Sequence, residues 1–249
     1  MKIPGLIDAH VHLRDPEETH KEDFSSGTLA ALAGGVVTLV DMPNNREPIT
    51  NPQRLEKKRK IARSKAVCDY GFYFGAARDN VGDYGEEVVK KVFGLKMYLN
   101  KTHGPLLLSQ PEEIAAHLRH WPTGKPLLVH AEGGTVVLVL NMIKDFPRRV
   151  HFCHLSLREE VEQIRRAKEA GLPISCEVTP HHLFLTEEDE KALGPFGRMR
   201  PPLRTAKDVD ALWQNLDVID IVVSDHAPHT KEEKLSKNVP FGVPGVETT

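Results

Sequence analysis

GLIDAHVH, residues 5–12, places the apolar pair Leu6 and Ile7 ahead of two histidines, His10 and His12, that are two residues apart. In an extended chain such residues share a face, so the stretch reads as a β-strand with both imidazoles projecting at its C-terminal end. Seven further apolar, β-branched runs follow: VVTLVDMP (36–43), YGFYFGA (70–76), GLKMYL (94–99), PLLVHAE (126–132), VHFCHL (150–155), PISCEVTPHH (173–182) and IDIVVSDHAPH (219–229). Between them lie helical patterns such as DFSSGTLAALAGG, QPEEIAAHLRHW, TVVLVLNMIKDF, LREEVEQIRRAKEAG and TAKDVDALWQNL. Their starts carry Asp, Ser or Thr and several ends carry Gly or Pro. Near-continuous apolar strands alternating with helices imply a parallel sheet covered by helices. Eight of them predict an α/β fold, a closed (β/α)8 barrel of the TIM type. An open doubly wound sheet would normally show a glycine-rich phosphate loop, and neither Gly34-Gly35 nor Gly133-Gly134 belongs to one.

The chain of 249 residues is the size of one such barrel, so residues 1–249 are read as a single domain. With 33 Lys+Arg against 35 Asp+Glu it lacks the basic stripe of a nucleic-acid binder. No apolar run reaches the length of a membrane span, and the stretch MKIPGLIDAH lacks the apolar run expected of a signal peptide. The three cysteines, Cys68, Cys153 and Cys176, form no CxxC pair, which favours a reducing cytoplasm. The basic segment RLEKKRKIARSK (54–65) reads as a helix with a solvated charged face. Only 20 residues follow His229, so the last helix of the barrel is expected to be missing or truncated, and no accessory β-sandwich is expected.

Histidines fall at strand ends: His10 and His12 on the first, His130 on the fifth, His154 on the sixth, His181 and His182 on the seventh, with Asp225 on the eighth. A barrel gathers these ends on one rim, where active sites lie. Imidazoles converging with a carboxylate suit Zn²⁺ or a similar divalent ion. Strict alternation would turn His154 away from the face of Cys153, so a break in the strand must re-aim it. His20, His117 and His120 read as surface residues, and His151 as a residue of the barrel's lower end. Lys96, inside GLKMYL, is either a lysine snorkelling to the barrel mouth or a reactive amine able to take up CO₂ as a carbamate that bridges two metals.

H-x-H on strand one, Lys on strand four, His on strands five and six and Asp on strand eight resemble the amidohydrolase superfamily with a carboxylated lysine. The stretches DAHVHLRDP, DMPNN, GLKMYLN, VHAE, CHLS, CEVTPHHLFL and SDHAPHT resemble, more closely, the dihydroorotases found as domains of animal multifunctional pyrimidine-synthesis proteins. The resemblance spans essentially the whole chain. It implies two zinc ions, one held by His10, His12, Lys96 and Asp225 and the other by Lys96, His130 and His154, with a CO₂-derived carbamate on Lys96. Cys153 and Glu177 match positions that, with His10, form a third zinc site in some relatives, or they orient the ligands. Arg14, Asn44, Arg200 and His229 match substrate-binding positions, as does the backbone near Phe241, and Thr102 matches a mobile loop. His103 stands where such relatives tend to carry an aromatic residue.

The implied activity is the reversible cyclisation of N-carbamoyl-L-aspartate to dihydroorotate, with Asp225 as acid and base. The alternatives are a related cyclic amidase of the hydantoinase, dihydropyrimidinase or allantoinase kind, or a non-catalytic dihydroorotase-like subunit. The expected partner is a small-molecule substrate, with neither nucleic acid nor membrane. A homodimer and association with other pyrimidine-pathway enzymes are also implied. Arg14 can clamp a carboxylate bidentately beside Asn44, or else pair with Asp15 or Glu17 on its own loop.

Overall fold

Every one of the eight apolar runs contains a strand. The structure, a computed structural model, describes residues 4–102 and 104–248. The strands are β1 (Leu6–Val11), β2 (Val36–Asp41), β3 (Asp69–Gly75), β4 (Gly94–Tyr98), β5 (Leu127–His130), β6 (Val150–Phe152), β7 (Ile174–Val178) and β8 (Ile221–Val222). All neighbours pair in parallel in the order β1 to β8. The ends meet: Val11 bridges His226 in parallel, and His12 N donates to His226 O at 2.7 Å. Ser224 N also donates to the Asp8 carboxylate, at 3.2 Å, from the far end of the sequence. The result is a (β/α)8 barrel.

The helices are α1 (Phe24–Ala33), α2 (Pro52–Lys65), α3 (Glu86–Val89), α4 (Pro111–His120), α5 (Gly134–Asp145), α6 (Arg158–Glu169), α7 (Pro180–Phe184), α8 (Glu187–Leu193), α9 (Ala206–Gln214) and α10 (Lys231–Lys234). Their starts follow local chemistry. Asp23 caps α1 through Ser26 N, and Asn51 caps α2 through Arg54 N with Pro52 in the first turn, where a missing N–H costs nothing. In α6 the residues Val161, Ile164 and Ala167 recur at helical spacing and are buried, while Arg158 and Glu162 pair on the outside.

Period-two alternation divides the core into two shells. Leu95 and Met97 of β4, Phe72 and Phe74 of β3, and Leu127 and Val129 of β5 point outward into one large apolar cluster with the helices. Val40, Met42, Tyr73, Leu128 and Cys153 form a small cluster inside the barrel. The same alternation sends Lys96 and Tyr98 of β4, His130 of β5 and Glu177 of β7 inward.

Three expectations are corrected. His181 and His182 do not lie on β7; Pro180 opens the short helix α7 just beyond it, with Thr179 accepting from His182 N. The α2 segment is not wholly solvated: Lys58 is 1% exposed and pairs with Asp41 at 2.6 Å. His117 is buried rather than superficial, with Tyr84 Oη–H donating to its Nδ1 at 3.1 Å and its own Nε2–H donating to Ala77 O at 3.0 Å. Two strands are also partly bare: Ile221 and Val222 of β8 are exposed, as is Ile7 of β1. After β8 the only helix among the described residues is α10.

Candidate metal and active site

The C-terminal ends of the strands surround one cavity, lined by His10, His12, Arg14, Asn44, Tyr98, Thr102, His130, His154, His181, Arg200, Asp225 and Phe241 among others. Two of these residues reach it through unusual backbone. His154 has φ +34° and Asp225 has φ +47°, the left-handed region that non-glycine residues seldom occupy. The turn at His154 is the required break in the strand: β6 ends at Phe152, Cys153 points into the barrel, and the reversed φ brings the next ring back to the same side.

His10 Nδ1–H donates to the buried Glu177 carboxylate, whose second oxygen takes a hydrogen bond from His151 Nε2 at 2.8 Å. His12 Nδ1–H donates to Asn44 Oδ1 at 2.6 Å. These bonds fix both tautomers, because a carboxylate and an amide oxygen only accept. The Nε2 lone pairs of both rings then face one oxygen, Asp225 Oδ1, at 3.2 Å from His10 and 2.9 Å from His12. Burial pushes the His10 imidazole down from its ordinary value, so it stays neutral, with Lys96 opposing the pull of Glu177. Lone pairs crowding around one anionic oxygen are the donor set of a cation site, and ligand atoms of His10, His12 and Asp225 all lie within 4.8 Å of one another.

A second imidazole pair stands opposite. His130 Nδ1 and His154 Nε2 are 2.9 Å apart, and His130 Nε2–H donates to Glu132 at 3.1 Å. His154 Nδ1 is buried without a hydrogen-bond partner among the described residues, so this ring is one interaction short there. Lys96 is fully buried, with Nζ 2.8 Å from Cys153 Sγ and 5.1 Å from the Tyr98 ring centre. Its charge bears on His10, His130 and His154 alike, so it sits between the two imidazole groups. His10, Cys153 and Glu177 form a further triad with all ligand atoms within 4.8 Å.

Burial raises the Asp225 carboxyl, and protonation of the facing histidines would bring it below the ordinary carboxylate range. Glu177 is likewise held low, against its burial, by His10 and His151. Burial drives the Cys153 thiol far above its usual value.

On the rim, Arg14 is 3% exposed, and its Nε donates to Pro228 O at 2.9 Å. Its loop neighbours are engaged elsewhere, Asp15 by Lys65 at 2.9 Å and Glu17 by Lys57 at 3.2 Å. His229 Nε2 lies 3.0 Å from Phe241 O and 3.3 Å from Arg14 Nη2, its Nδ1 lies 3.3 Å from Glu233, and burial together with Arg14 brings its imidazole down to about 3. Arg200 and Arg198 both lie over one ring, Phe241, at 4.7 and 4.6 Å from its centre. The structure thus brings together His10, His12, Lys96, His130, His154, Asp225, Cys153 and Glu177, with Arg14, Asn44, Thr102, Arg200 and Phe241 around the opening, while the His229 side chain is buried outside the lining, against Arg14 and Phe241 O. His103 lies outside the described residues. Sequence reasoning missed Tyr98, whose buried hydroxyl has no partner among the described residues, and Glu132, which links His130 to Arg204 at 3.1 Å. Tyr98 was findable, being two residues beyond Lys96 on the same face.

The sequence profile of the Amidohydrolase family matches residues 1–243. The chain belongs to that family. Among curated relatives it is 47% identical to the multifunctional protein CAD of Squalus acanthias over 249 residues, which is all of this chain and 11% of that protein. It is 37% identical to the dihydroorotase of Pyrococcus abyssi over 262 residues, covering 99% of this chain and 60% of that one. The chain therefore spans about a tenth to three fifths of these relatives. Among solved amidohydrolase-fold structures, the L-hydantoinase of Arthrobacter aurescens superposes with a TM-score of 0.92 at 23% identity, covering 99% of this chain and 64% of its own. An inactive dihydroorotase-like domain of a Chaetomium thermophilum CAD-like protein superposes with a TM-score of 0.80 at 24% identity, covering 99% and 70%. At such identities these two likenesses concern the fold alone.

Proposed function

We propose that the chain is a dihydroorotase, interconverting N-carbamoyl-L-aspartate and dihydroorotate for pyrimidine synthesis. The observation that carries this reading is Arg14: a buried guanidinium beside Asn44 at the mouth of the histidine–aspartate cavity, which suits a substrate bearing a free carboxylate. The relatives named dihydroorotase, and the multifunctional CAD and pyr1-3 proteins, agree with it.

The residues present fit a divalent metal. His10, His12, Lys96 and Asp225 would hold one zinc and Lys96, His130 and His154 a second, with Lys96 carboxylated between them; His10, Cys153 and Glu177 are candidates for a third. Bound there, zinc supplies an acidified water and a polarised carbonyl. The protein side of the reaction is binding and proton transfer. Arg14 and Asn44 hold the ring carboxylate, while Arg200, His229 and the Phe241 backbone bound the rest of the substrate, and Thr102 belongs to a loop over it. Asp225, ionised at neutral pH, accepts the proton of the attacking water at its carboxylate and returns it to the departing ring nitrogen, base first and acid second. Cyclisation runs these transfers backwards and releases water. It also consumes a carboxylate charge and a proton, so acid favours the ring and alkali the open chain. Association with other enzymes of pyrimidine synthesis, and a homodimer, belong to the same reading, as does a cytoplasmic location. Among the described residues no helix is long and apolar enough to cross a membrane.

The test is a spectrophotometric comparison of dihydroorotate, hydantoin and allantoin on zinc-loaded protein. Turnover of dihydroorotate alone supports the reading. Turnover of the uncharged rings without dihydroorotate makes the chain a different cyclic amidase, and zinc below one ion per chain with no turnover makes it a non-catalytic homologue.

A further inference from the structure

Arg14 owes its place to neighbours that never reach the cavity. Alternation turns Asp41, the last residue of β2, outward to the helix layer, where α2 presents Lys58. The Lys58 ammonium touches Asp41 Oδ2 at 2.6 Å and donates to Met42 O at 3.0 Å and Asn45 Oδ1 at 2.7 Å. Each acceptor group leads back to the strand-one loop. Asp41 Oδ1 takes the N–H of Leu13 at 2.9 Å, Asn45 Nδ2 donates to the carbonyl of Asp15 at 2.6 Å, and Met42 N donates to Val11 O at 2.8 Å. The His12–Leu13 and Asp15–Pro16 peptide groups, one peptide removed from Arg14 on either side, are thus gripped by two side chains that share one cation.

We propose that Lys58 is a positioning residue for substrate binding: through Asp41 and Asn45 it holds the backbone at residues 13 and 15 and so aims the Arg14 guanidinium into the cavity. The proposal rests on the reading of Arg14 as the carboxylate clamp. A buried ammonium with three oxygen contacts is expensive to desolvate and would be replaced by an apolar side chain at little loss if it served packing alone. Its three contacts converge on one loop, and that loop carries Arg14 between the ligand His12 and the cap of α1. Asp15 itself continues the arrangement, accepting Phe24 N at 2.9 Å. Removing the cation leaves Asp41 a buried carboxylate whose remaining hydrogen bond is from Leu13 N, free to shift or to take a proton, and either change loosens the His12–Leu13 peptide and with it the start of the Arg14 loop.

The experiment is Lys58→Met on the zinc-loaded full chain, with Asn45→Ala as a milder variant that releases only the residue-15 side. For Lys58→Met, KM for dihydroorotate should rise about tenfold, with kcat within about twofold and zinc content unchanged; Asn45→Ala should raise KM less, in the same direction. A purely structural role lowers the active fraction instead, so reduced kcat with unchanged KM overturns the proposal. Should Lys58→Met fail to fold, the KM of Asn45→Ala decides alone. Should the parent chain not act on dihydroorotate, the substrate reading fails separately, and the crystal structure of the variant decides: Arg14 Nε drawn away from Pro228 O supports the positioning role, and an unmoved guanidinium refutes it.

Discussion

At the scale of single residues, the site works by forcing groups into company they would avoid in water. Lys96 is fully buried between two imidazole groups, His154 has a nitrogen without a partner among the described residues, and Asp225 receives two lone pairs on one oxygen. Each anomaly would be relieved by the proposed pair of cations and a carboxylated Lys96. Lys96→Ala should accordingly lose most bound zinc and reduce activity by three orders of magnitude or more; near-normal zinc by elemental analysis would remove Lys96 from the metal site. Arg14→Met should act differently. Among the described residues its guanidinium bonds to Pro228 O and lies against His229, neither of them a candidate metal ligand, so zinc should stay while KM rises at least tenfold, in line with the loss of about 1.5–3 kcal/mol for a charged hydrogen bond. An unchanged KM would exclude Arg14 as the clamp. Neither role depends on exposed charge, which explains why composition and net charge were silent about the chemistry.

At the scale of elements, period two and period 3.6 explain nearly all of the architecture. The apolar runs became strands because their alternate residues feed two shells, one under the helices and one inside the barrel. Helix α6 illustrates the other period: Ile164 is fully buried on the stripe, and Arg158 lies on the outer face. Ile164→Ala should destabilise by about 2–5 kcal/mol, measured by urea unfolding, because a cavity opens at the sheet–helix boundary. Arg158→Ala should leave the unfolding midpoint where it is, since an exposed ion pair is screened by water. The same periodicity marks where local reading stops. Lys58 and His117 occupy buried helix positions whose partners, Asp41 and Tyr84, lie on other elements, and a charged or polar letter in a helix gives no hint of such a partner.

At the scale of the whole molecule, buried neutral histidines link stability to pH. His117 and His182 have both ring nitrogens satisfied as neutral rings, the latter by Thr179 at 2.7 Å and Pro201 O at 3.1 Å, and burial holds both below their ordinary value. Burial likewise brings His181 down to about 4. On unfolding these rings regain a value near 6.5 and bind protons, so stability is fully present above that pH and is lost as pH falls toward 4. In chelator-treated protein, where metal release cannot contribute, Tm should be flat from pH 7 to 8. Below pH 6.5 it should drop by about 2–4 °C per pH unit for each such histidine. A Tm independent of pH between 7 and 5 would contradict the neutral assignment.

The order of strands, the inward or outward direction of each side chain along them, and hence the meeting of His10, His12, Lys96, His130 and Asp225 at one rim were legible from the amino acids, because alternation is local and a parallel barrel aligns strand ends automatically. The fine aim was not. His154, for which alternation demanded a break in the strand, and Asp225, for which nothing did, both enter the cavity through left-handed backbone whose form only the packing around them decides and sustains. Which cations are buried was also settled only in three dimensions. Lys58 sits in a segment that reads as solvated, yet closing the barrel sets Asp41 against it, and a charge can leave water only where its counter-charge and acceptors are already in place.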